Sequence, residues 1–353
     1  MNPKTKKSFA RTVALISLIL ILALGIAGFA AYKIIFGNNT TLEKEQAGYL
    51  YLKTGSSYTD LLVSVQNSGL LKNFRTFKLV ADRKSLAKHV HAGRYEILSG
   101  MSNNDIVNLL RSGKQKPVNV TFNNITFPVQ LAGVVSRQIE ADSVSLIRLF
   151  HNETFLKKYG LTPATALAMF IPNTYEFYWN TRAEEFFSRM HTEYKKFWTT
   201  KRKLQAELLN LNPLEVSIIA SIVEKETIRN DEKARIAGVY LNRLKRGWKL
   251  QADPTTIYAV YLETGSMPRR VLRNHTQLES PYNTYFYKGL PPGPICMPSV
   301  ASIDAVLNSE KHNYMFFVAN SDGSGYHRFS ANYSQHLIYA RDYQKALNKL
   351  QLN

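Results

Sequence analysis

The sequence predicts a protein of mixed helices and short strands that follows one apolar helix near its N-terminus. Three observations support this prediction: an uncharged run of 21 residues, the strand-type and helix-type hydrophobic spacings that follow it, and a length of 353 residues. At about 150 residues per domain, that length suggests two folded units. Hydrophobic residues make up 45% and aromatic residues 12% of the chain, which excludes disorder throughout.

The uncharged run extends from Thr12 to Tyr32 and follows four basic residues that end with Arg11. About 20 apolar residues in a helix span the hydrocarbon core of a bilayer. We therefore predict a cytoplasmic tail over residues 1–11 and a single transmembrane helix over residues 12–36 of a cell (inner) membrane protein, with the rest exported. A cleaved signal peptide is the alternative, but the run is long for one and offers only a weak cleavage pattern.

The net charge of +19 indicates an anionic partner: nucleic acid, lipid headgroups or an acidic polymer. Five basic residues up to Lys33 carry +5, which leaves +14 on the part predicted to be exported. Genomic DNA is not usually on that side of a membrane, so no nucleic-acid partner is predicted. An anionic lipid surface or a cell-wall polymer that carries carboxylates is the favoured partner.

The chain offers no pattern typical of a metal or cofactor site. Its one cysteine, Cys296, excludes an internal disulfide and a cysteine-built metal centre. His89 and His91 are spaced as on one strand face, but no third ligand is evident. We predict no metal and no cofactor.

Between the apolar helix and residue 122, three strands and three helices are predicted from hydrophobic spacing, caps and turn residues. The strands are Tyr49–Leu52, Gly93–Leu98 and Val118–Phe122; the helices are Ser57–Asn67, Phe74–Lys84 and a helix that Ser102 caps and Gly113 ends.

The densest chemical signal begins at Asn212, where Asn, Pro and Glu in this order form a good helix start. At about 100° per residue, Glu226 falls on the apolar stripe of this helix, and Glu224 points roughly the opposite way. Partial burial raises the pKa of a carboxyl group, as a general acid that works near neutral pH requires. The alternative is that Glu226 is a helix-end residue paired with Lys225 or Arg229.

Polar residues gather in the segments that follow. A second helix, predicted over residues 231–246, carries Asn242 beside its apolar stripe. Asp253 then resembles an N-cap with Pro254 at the first helical position, which would leave Gln251 and Thr255 with free hydrogen-bonding groups beside the helix entry. Two loops rich in turn residues, 280–285 and 289–295, are typical of the walls of binding clefts.

A buried strand is predicted over residues 314–319. His327 and Phe329 follow in a turn and a further strand.

Together these segments resemble the MltG (YceG-like) family of endolytic murein transglycosylases. The motifs are Ser221-Ile222-Val223-Glu224-Lys225-Glu226-Thr227, Arg235 to Leu244, Leu250 to Thr255 with Tyr258, Tyr282-Asn283-Thr284-Tyr285, and Gly289 to Ile295. Five motifs in order behind one anchor helix make the resemblance specific, and it covers the chain from about Tyr49 onward.

The resemblance implies an α+β exported region with a membrane-proximal LysM-like subdomain, placed at 42–121, and a mixed α/β catalytic domain, placed at 122–353. It also implies cleavage of the MurNAc–GlcNAc bond of nascent glycan strands to give 1,6-anhydro-MurNAc ends, with peptidoglycan synthases (penicillin-binding proteins) as candidate partners. The second glutamate of the first motif, Glu226, would be the catalytic acid. The predicted substrate-binding residues are Gln251, Asp253, Thr255, Tyr258, Asn283, Tyr285 and Asn242.

The chain departs from the family pattern at two places. Asn173 stands where the family usually has an aspartate, which removes a candidate second acid, and Cys296 and Met297 stand where small residues are more usual.

Two other functions fit the same residues. A hydrolase would use Asp253 or Asp231 as a second acid, because water-using glycosidases normally need two carboxyl groups. A membrane-tethered scaffold that binds the cell wall would need no acid at all.

Overall fold

The computed structural model describes the backbone of residues 3–351 and the side chains of residues 11–348. The chain divides into two compact units. One comprises the residues up to Val118 together with Glu176–Asn180, and the other comprises Asn119–Tyr175 together with the residues from Thr181 onward. The predicted mixture of helices and short strands is confirmed. The assignment of a LysM-like subdomain to 42–121 and of a catalytic domain to 122–353 stays a prediction.

Helix α1 (Pro3–Phe36) contains the predicted apolar run. Its segment Arg11–Phe36 contains an 18-residue window with a mean hydropathy of 2.8, none of it buried within the protein, so the segment is long and apolar enough to cross a membrane. The last turn of the helix is held within the first unit, where Asn103 donates a hydrogen bond to the Ile34 carbonyl oxygen at 2.8 Å.

After α1, the first unit continues with an antiparallel strand pair and the helices packed on it. Its elements are β1 (Ala47–Leu52), α2 (Tyr58–Asn67), α3 (Phe74–Arg83), β2 (Gly93–Leu98) and α4 (Asn103–Ser112). Leu50 of β1 lies opposite Tyr95 of β2, and both are buried with Phe77 of α3. Ser102 caps α4 as predicted, and Gly113 ends it in the left-handed conformation at φ +66°, which glycine adopts without strain.

A two-stranded sheet and five helices follow. The elements are β3 (Val118–Phe122), α5 (Pro128–Ser136), α6 (Ser143–His151), α7 (Glu153–Lys157), β4 (Asn173–Phe177), α8 (Ala183–Phe197) and α9 (Thr200–Leu208), and β3 pairs with β4. Phe170, Phe186 and Phe187 are fully buried and pack on one another at ring-centroid distances of 5.3–6.2 Å. This aromatic cluster forms part of the core of the second unit.

The remaining elements form the part of the second unit that carries the motifs. They are α10 (Pro213–Glu226), α11 (Asn230–Lys245), α12 (Asp253–Thr264), α13 (Arg273–Thr276), α14 (Val300–Leu307), β5 (Phe316–Ala319), β6 (His327–Ser330) and α15 (Tyr333–Gln351). Helix α10 lies in the core, with Ile219, Ile222 and Val223 fully buried as their stripe predicts. The strand predicted over 314–319 is present as β5 and pairs antiparallel with β6. It is only partly buried, which corrects the expectation of a buried strand.

Candidate active site

Glu226 is the last residue of α10. At the other end of this helix the Asn212 side chain accepts hydrogen bonds from two backbone N–H groups, and the Glu215 carboxylate bonds back to the Asn212 N–H, so the predicted capping box is confirmed. The buried stripe that ends in Ile222 and Val223 fixes α10 in the core. Glu226 is thereby held at the edge of the core, where its carboxyl group reaches a cleft.

Tyr240 of α11 donates a hydrogen bond from its hydroxyl to Oε1 of Glu226. Its side chain is 1% exposed, and its ring packs edge-on against Phe317 of β5 at 5.9 Å. A buried tyrosine needs a partner for its hydroxyl, and here that partner is the glutamate. The bond holds the Glu226 carboxyl group in one orientation.

Burial raises the pKa of Glu226 to about 7. The Tyr240 hydrogen bond and the positive charge of Arg243 work in the opposite direction, and the negative charge of Asp253 adds to the rise. Glu226 is therefore protonated in a large share of molecules at neutral pH. This is the state that a general acid needs.

Arg243 is a buried cation that ties three segments together. From α11, its Nε donates to the Met315 carbonyl oxygen at 2.7 Å, and its Nη1 donates to the Leu250 carbonyl oxygen. Its side chain thus fixes the start of β5 and the loop before α12 beside Glu226. The guanidinium also lines the cleft.

The cleft has a volume of about 350 Å³. Glu226, Tyr240 and Arg243 line it from α10 and α11. Gln251 lines it from the loop before α12, Asp253 from the first turn of α12, and Tyr285 from the loop 280–285. The other side is formed by β5, β6 and α15, through Phe316–Ala319, His327, Tyr333 and His336. It combines carboxyl and imidazole groups with exposed aromatic faces. Such a lining suits a sugar, whose hydroxyls need polar partners and whose CH faces pack on rings.

Glu224 lies on the other side of α10 and has a different role. Its Oε2 accepts hydrogen bonds from the Ser299 and Ser302 hydroxyls and from Lys233 Nζ at 3.1 Å. Burial alone would raise the pKa of Glu224, but these bonds outweigh it and the pKa is lowered. Glu224 therefore anchors α14 and α11 to α10 as an ionised carboxylate, and the predicted opposition of the two glutamates is confirmed.

Thr284 joins the loop before α12 to the loop 280–285. Its carbonyl oxygen accepts from the Gln251 N–H at 3.1 Å, and its hydroxyl accepts from the Ala252 N–H at 3.0 Å. Gln251 has a left-handed backbone at φ +49°, which directs an exposed side chain into the cleft lining. Asp253 and Tyr285 then meet across the loops, with the tyrosine hydroxyl donating to Oδ1 of Asp253 at 2.6 Å.

The expectation that Asp253 caps a helix is wrong. Helix α12 begins at Asp253 itself, Ala252 occupies the N-cap position, and no side chain caps the helix there. The Asp253 carboxylate instead accepts from Tyr285 and lies in the cleft. The hydrogen bond from Tyr285 therefore takes the place of the expected bond from Asp253 to the first backbone N–H groups of α12.

Four predicted binding residues lie behind the cleft lining, with their polar groups or rings engaged by the protein. Thr255 is buried and bonds to the Ala252 carbonyl oxygen and to the Thr284 hydroxyl, so the expected free group at Thr255 is corrected. Tyr258 is buried against the rings of Phe127 and Tyr282.

The two amides of this set, Asn242 and Asn283, act as clamps. The Asn283 carboxamide is fully buried and donates to the carbonyl oxygens of His275, Thr276 and Leu278. The Asn242 carboxamide donates to the carbonyl oxygens of residues 312 and 314 at 2.9 and 3.0 Å. These bonds shape the loops from which the cleft residues project.

Sequence reasoning missed several cleft residues: Tyr240, Arg243, Phe316–Ala319, His327, Tyr333 and His336. A signal was present for two of them, because Tyr240 and Arg243 lie three residues apart on α11 and so share a face. The hydroxyl group of a buried tyrosine also usually has a hydrogen-bond partner, which would have pointed to a polar residue near Tyr240. No spacing rule connects β5, β6 and α15 to Glu226.

The residues that depart from the family pattern are accommodated without disruption. Asn173 is exposed at the start of β4, where its side-chain oxygen accepts from the Thr174 N–H. Cys296 is buried and its thiol donates to the Ser221 carbonyl oxygen, and the Met297 N–H bonds to the Ile125 carbonyl oxygen.

Asp231, a candidate second acid, is exposed and accepts from the Tyr326 hydroxyl at 3.0 Å.

The model of the YceG-like family matches residues 50–342. Several relatives carry the name endolytic murein transglycosylase. The one from Bacillus subtilis is 27% identical over 77% of this chain and 78% of its own length; the one from Streptococcus pneumoniae is 25% identical over 88% of this chain and 61% of its own length.

A crystal structure of a YceG-like protein from Listeria monocytogenes has the same fold, with a TM-score of 0.54 at 24% identity over 82% of this chain and 98% of that one. A family match over most of the chain, with the relatives and the shared fold, establishes that this chain belongs to the YceG-like family.

Proposed function

We propose that this protein is a membrane-anchored endolytic lytic transglycosylase that cleaves the MurNAc–GlcNAc bond of peptidoglycan glycan strands and leaves a 1,6-anhydro-MurNAc end. Its family and the names of its relatives support the reaction class. The observation that carries the proposal is Glu226, a carboxyl group oriented by Tyr240 in a cleft, with its pKa raised to about 7.

The reaction needs one carboxyl group that first gives and then takes a proton. Tyr240 occupies Oε1, so the proton on Oε2 of Glu226 passes to the glycosidic oxygen as the bond from C1 to that oxygen breaks. The 6-hydroxyl of the same MurNAc then attacks C1, and the Glu226 carboxylate accepts its proton. The enzyme ends in its starting protonation state, and no water is consumed.

Asp253 supports this cycle from the side of the cleft. Its negative charge adds to the rise in the pKa of Glu226, and Tyr285 holds its carboxylate in place. We assign Gln251, Asp253 and Tyr285 to direct contact with sugar hydroxyls or acetamido groups. Asn242, Thr255, Tyr258 and Asn283 support the loops that present those contacts.

Helix α1 anchors the protein in the cell membrane with its N-terminus in the cytoplasm, because basic residues precede the apolar segment. The cleft then works on the outer side, close to newly made glycan. The +14 charge of the exported part suits a polymer with carboxylate-bearing stem peptides. Residues 42–121 would position the glycan strand, and peptidoglycan synthases are candidate partners.

The test is the mass of the products that the full chain, purified in detergent, releases from isolated peptidoglycan. Transglycosylation leaves anhydro ends, which lack the water that hydrolysis adds. Products with reducing MurNAc ends would instead support a hydrolase in which Asp253 is the second acid. Binding to peptidoglycan without any product would support a scaffold.

A further inference from the structure

His327 faces the cleft, and neither the sequence motifs nor the mechanism above uses it. It is the first residue of β6, and its ring packs edge-on against Phe317 at 5.4 Å. Phe317 in turn packs against Tyr240, the residue that holds Glu226. His327 is therefore one ring further along the cleft wall than the tyrosine beside the catalytic carboxyl group.

A buried carboxylate fixes the imidazole. Glu232, which is 3% exposed, accepts the backbone N–H of His327 through Oε1 and bonds to Nδ1 of the ring through Oε2, both at 2.9 Å. Glu232 lies in the first turn of α11, where the helix dipole favours a negative charge. The carboxylate thus sets both the position of the backbone and the orientation of the ring.

The orientation decides which ring nitrogen can act in the cleft. Because the carboxylate can only accept, Nδ1 carries the proton, and Nε2 of the neutral ring is an acceptor. A sugar hydroxyl or an acetamido N–H is the matching donor.

Resting on the proposed function, we propose that the His327–Glu232 pair is a substrate-recognition element, in which Nε2 of His327 accepts a hydrogen bond from a hydroxyl or acetamido group of the bound glycan. The contact is on a different part of the glycan from the oxygen that Glu226 protonates. Glu232 acts through His327 and is a positioning residue.

Two substitutions separate this role from a structural one. His327→Asn keeps a donor near the position of Nδ1, for Glu232, and removes the group at the position of Nε2. His327→Gln places an amide oxygen near the position of Nε2 and gives up the side-chain bond to Glu232. A structural role therefore predicts damage in His327→Gln, whereas the recognition role predicts damage in His327→Asn.

Binding is measured by calorimetry on the full chain in detergent, with a soluble tetrasaccharide of alternating GlcNAc and MurNAc as the probe. Each variant is made in the Glu226→Gln background, so that the result does not depend on which reaction the enzyme performs. Losing one hydrogen bond to the probe should raise the Kd of the His327→Asn variant by about 10-fold. The Kd of the His327→Gln variant should stay within about 3-fold of the background.

Tyr326→Phe is the matched control, because it breaks the neighbouring bond to Asp231 in the same turn without touching the cleft. It should leave the Kd unchanged. An unchanged Kd in His327→Asn, or an equal loss in both His327 variants while thermal unfolding stays normal, would overturn the assignment. Failure of the proposed function would show separately, as the wrong products from the wild-type chain.

Discussion

Replacing Glu226 with glutamine should stabilise the protein at alkaline pH while it removes the catalytic acid. The pKa of Glu226 is about 7 in the folded protein, against an ordinary value of 4.5. The folded state therefore binds this proton more tightly than the unfolded state, so the wild-type protein loses stability as the pH rises between these values. At about 1.4 kcal/mol per pKa unit, the loss is about 3 kcal/mol at pH 8 and above.

Glutamine cannot ionise, and its side-chain oxygen can still accept the Tyr240 hydroxyl. The free energy of unfolding of Glu226→Gln should therefore match that of the wild type at pH 4 and exceed it by about 3 kcal/mol at pH 8. The assay is urea unfolding of the full chain in detergent, followed by tryptophan fluorescence. Trp198 is a suitable reporter, because it is buried in the same core as α10.

Glu224→Gln is the matched control, since the two glutamates lie two residues apart on one helix. The pKa of Glu224 is lowered, so its ionised form adds stability that is present at neutral pH and lost on acidification. Replacing Glu224 with glutamine should therefore lower the free energy of unfolding at pH 7, whereas replacing Glu226 with glutamine should raise it at pH 8. A Glu226→Gln protein that is no more stable than the wild type at pH 8 would refute the assignment of a buried carboxyl group with a raised pKa at this position.

The other expected outcomes concern Glu226, Tyr240, Glu224 and the anchor helix α1. The kcat/KM for cleavage should fall as the pH rises through about 7, because Glu226 must be protonated; a flat pH profile from 6 to 9 would contradict this. Tyr240→Phe removes a bond that favours the carboxylate, so this fall should move to higher pH, and a move to lower pH would show that the bond favours the neutral acid. Glu224→Gln leaves Lys233 buried without its carboxylate and should lower the free energy of unfolding by about 3 kcal/mol at pH 7, measured by urea titration, and a loss below 1 kcal/mol would contradict an anchoring role. External protease on spheroplasts should remove the exported region and leave α1 in the membrane, whereas a soluble protein starting near Ala30 would indicate signal-peptide cleavage.

Local signals in the sequence predicted much of the fold. Ser102 and Asn212 cap their helices as expected, because a side chain that accepts the first backbone N–H groups acts within one turn. Glu226 was predicted as the cleft carboxyl group for a similar reason, since the 100° period alone placed it on the buried stripe. The pairing of Glu226 with Tyr240 joins two helices and has no local signature.

The roles of the polar residues in the motifs could not be predicted from local sequence patterns. Asp253 and Thr255 both follow a helix-start pattern, yet Asp253 bonds to Tyr285 in the cleft and Thr255 is buried against Thr284. A motif marks such residues as important without showing whether they contact a ligand or hold a loop. That distinction depends on which hydrogen bonds the tertiary structure has already satisfied.

In the proposed mechanism one carboxyl group, Glu226, breaks the glycosidic bond. The most direct measurement is the initial rate at which anhydro-ended products form from peptidoglycan, compared between the wild type, Glu226→Gln and Glu224→Gln, each at a temperature where it is folded. Loss of the general acid should lower the rate of Glu226→Gln by about 10²–10⁴-fold. Glu224→Gln should retain most of its rate. A rate for Glu226→Gln within 10-fold of the wild type, or a larger loss in Glu224→Gln, would contradict the account.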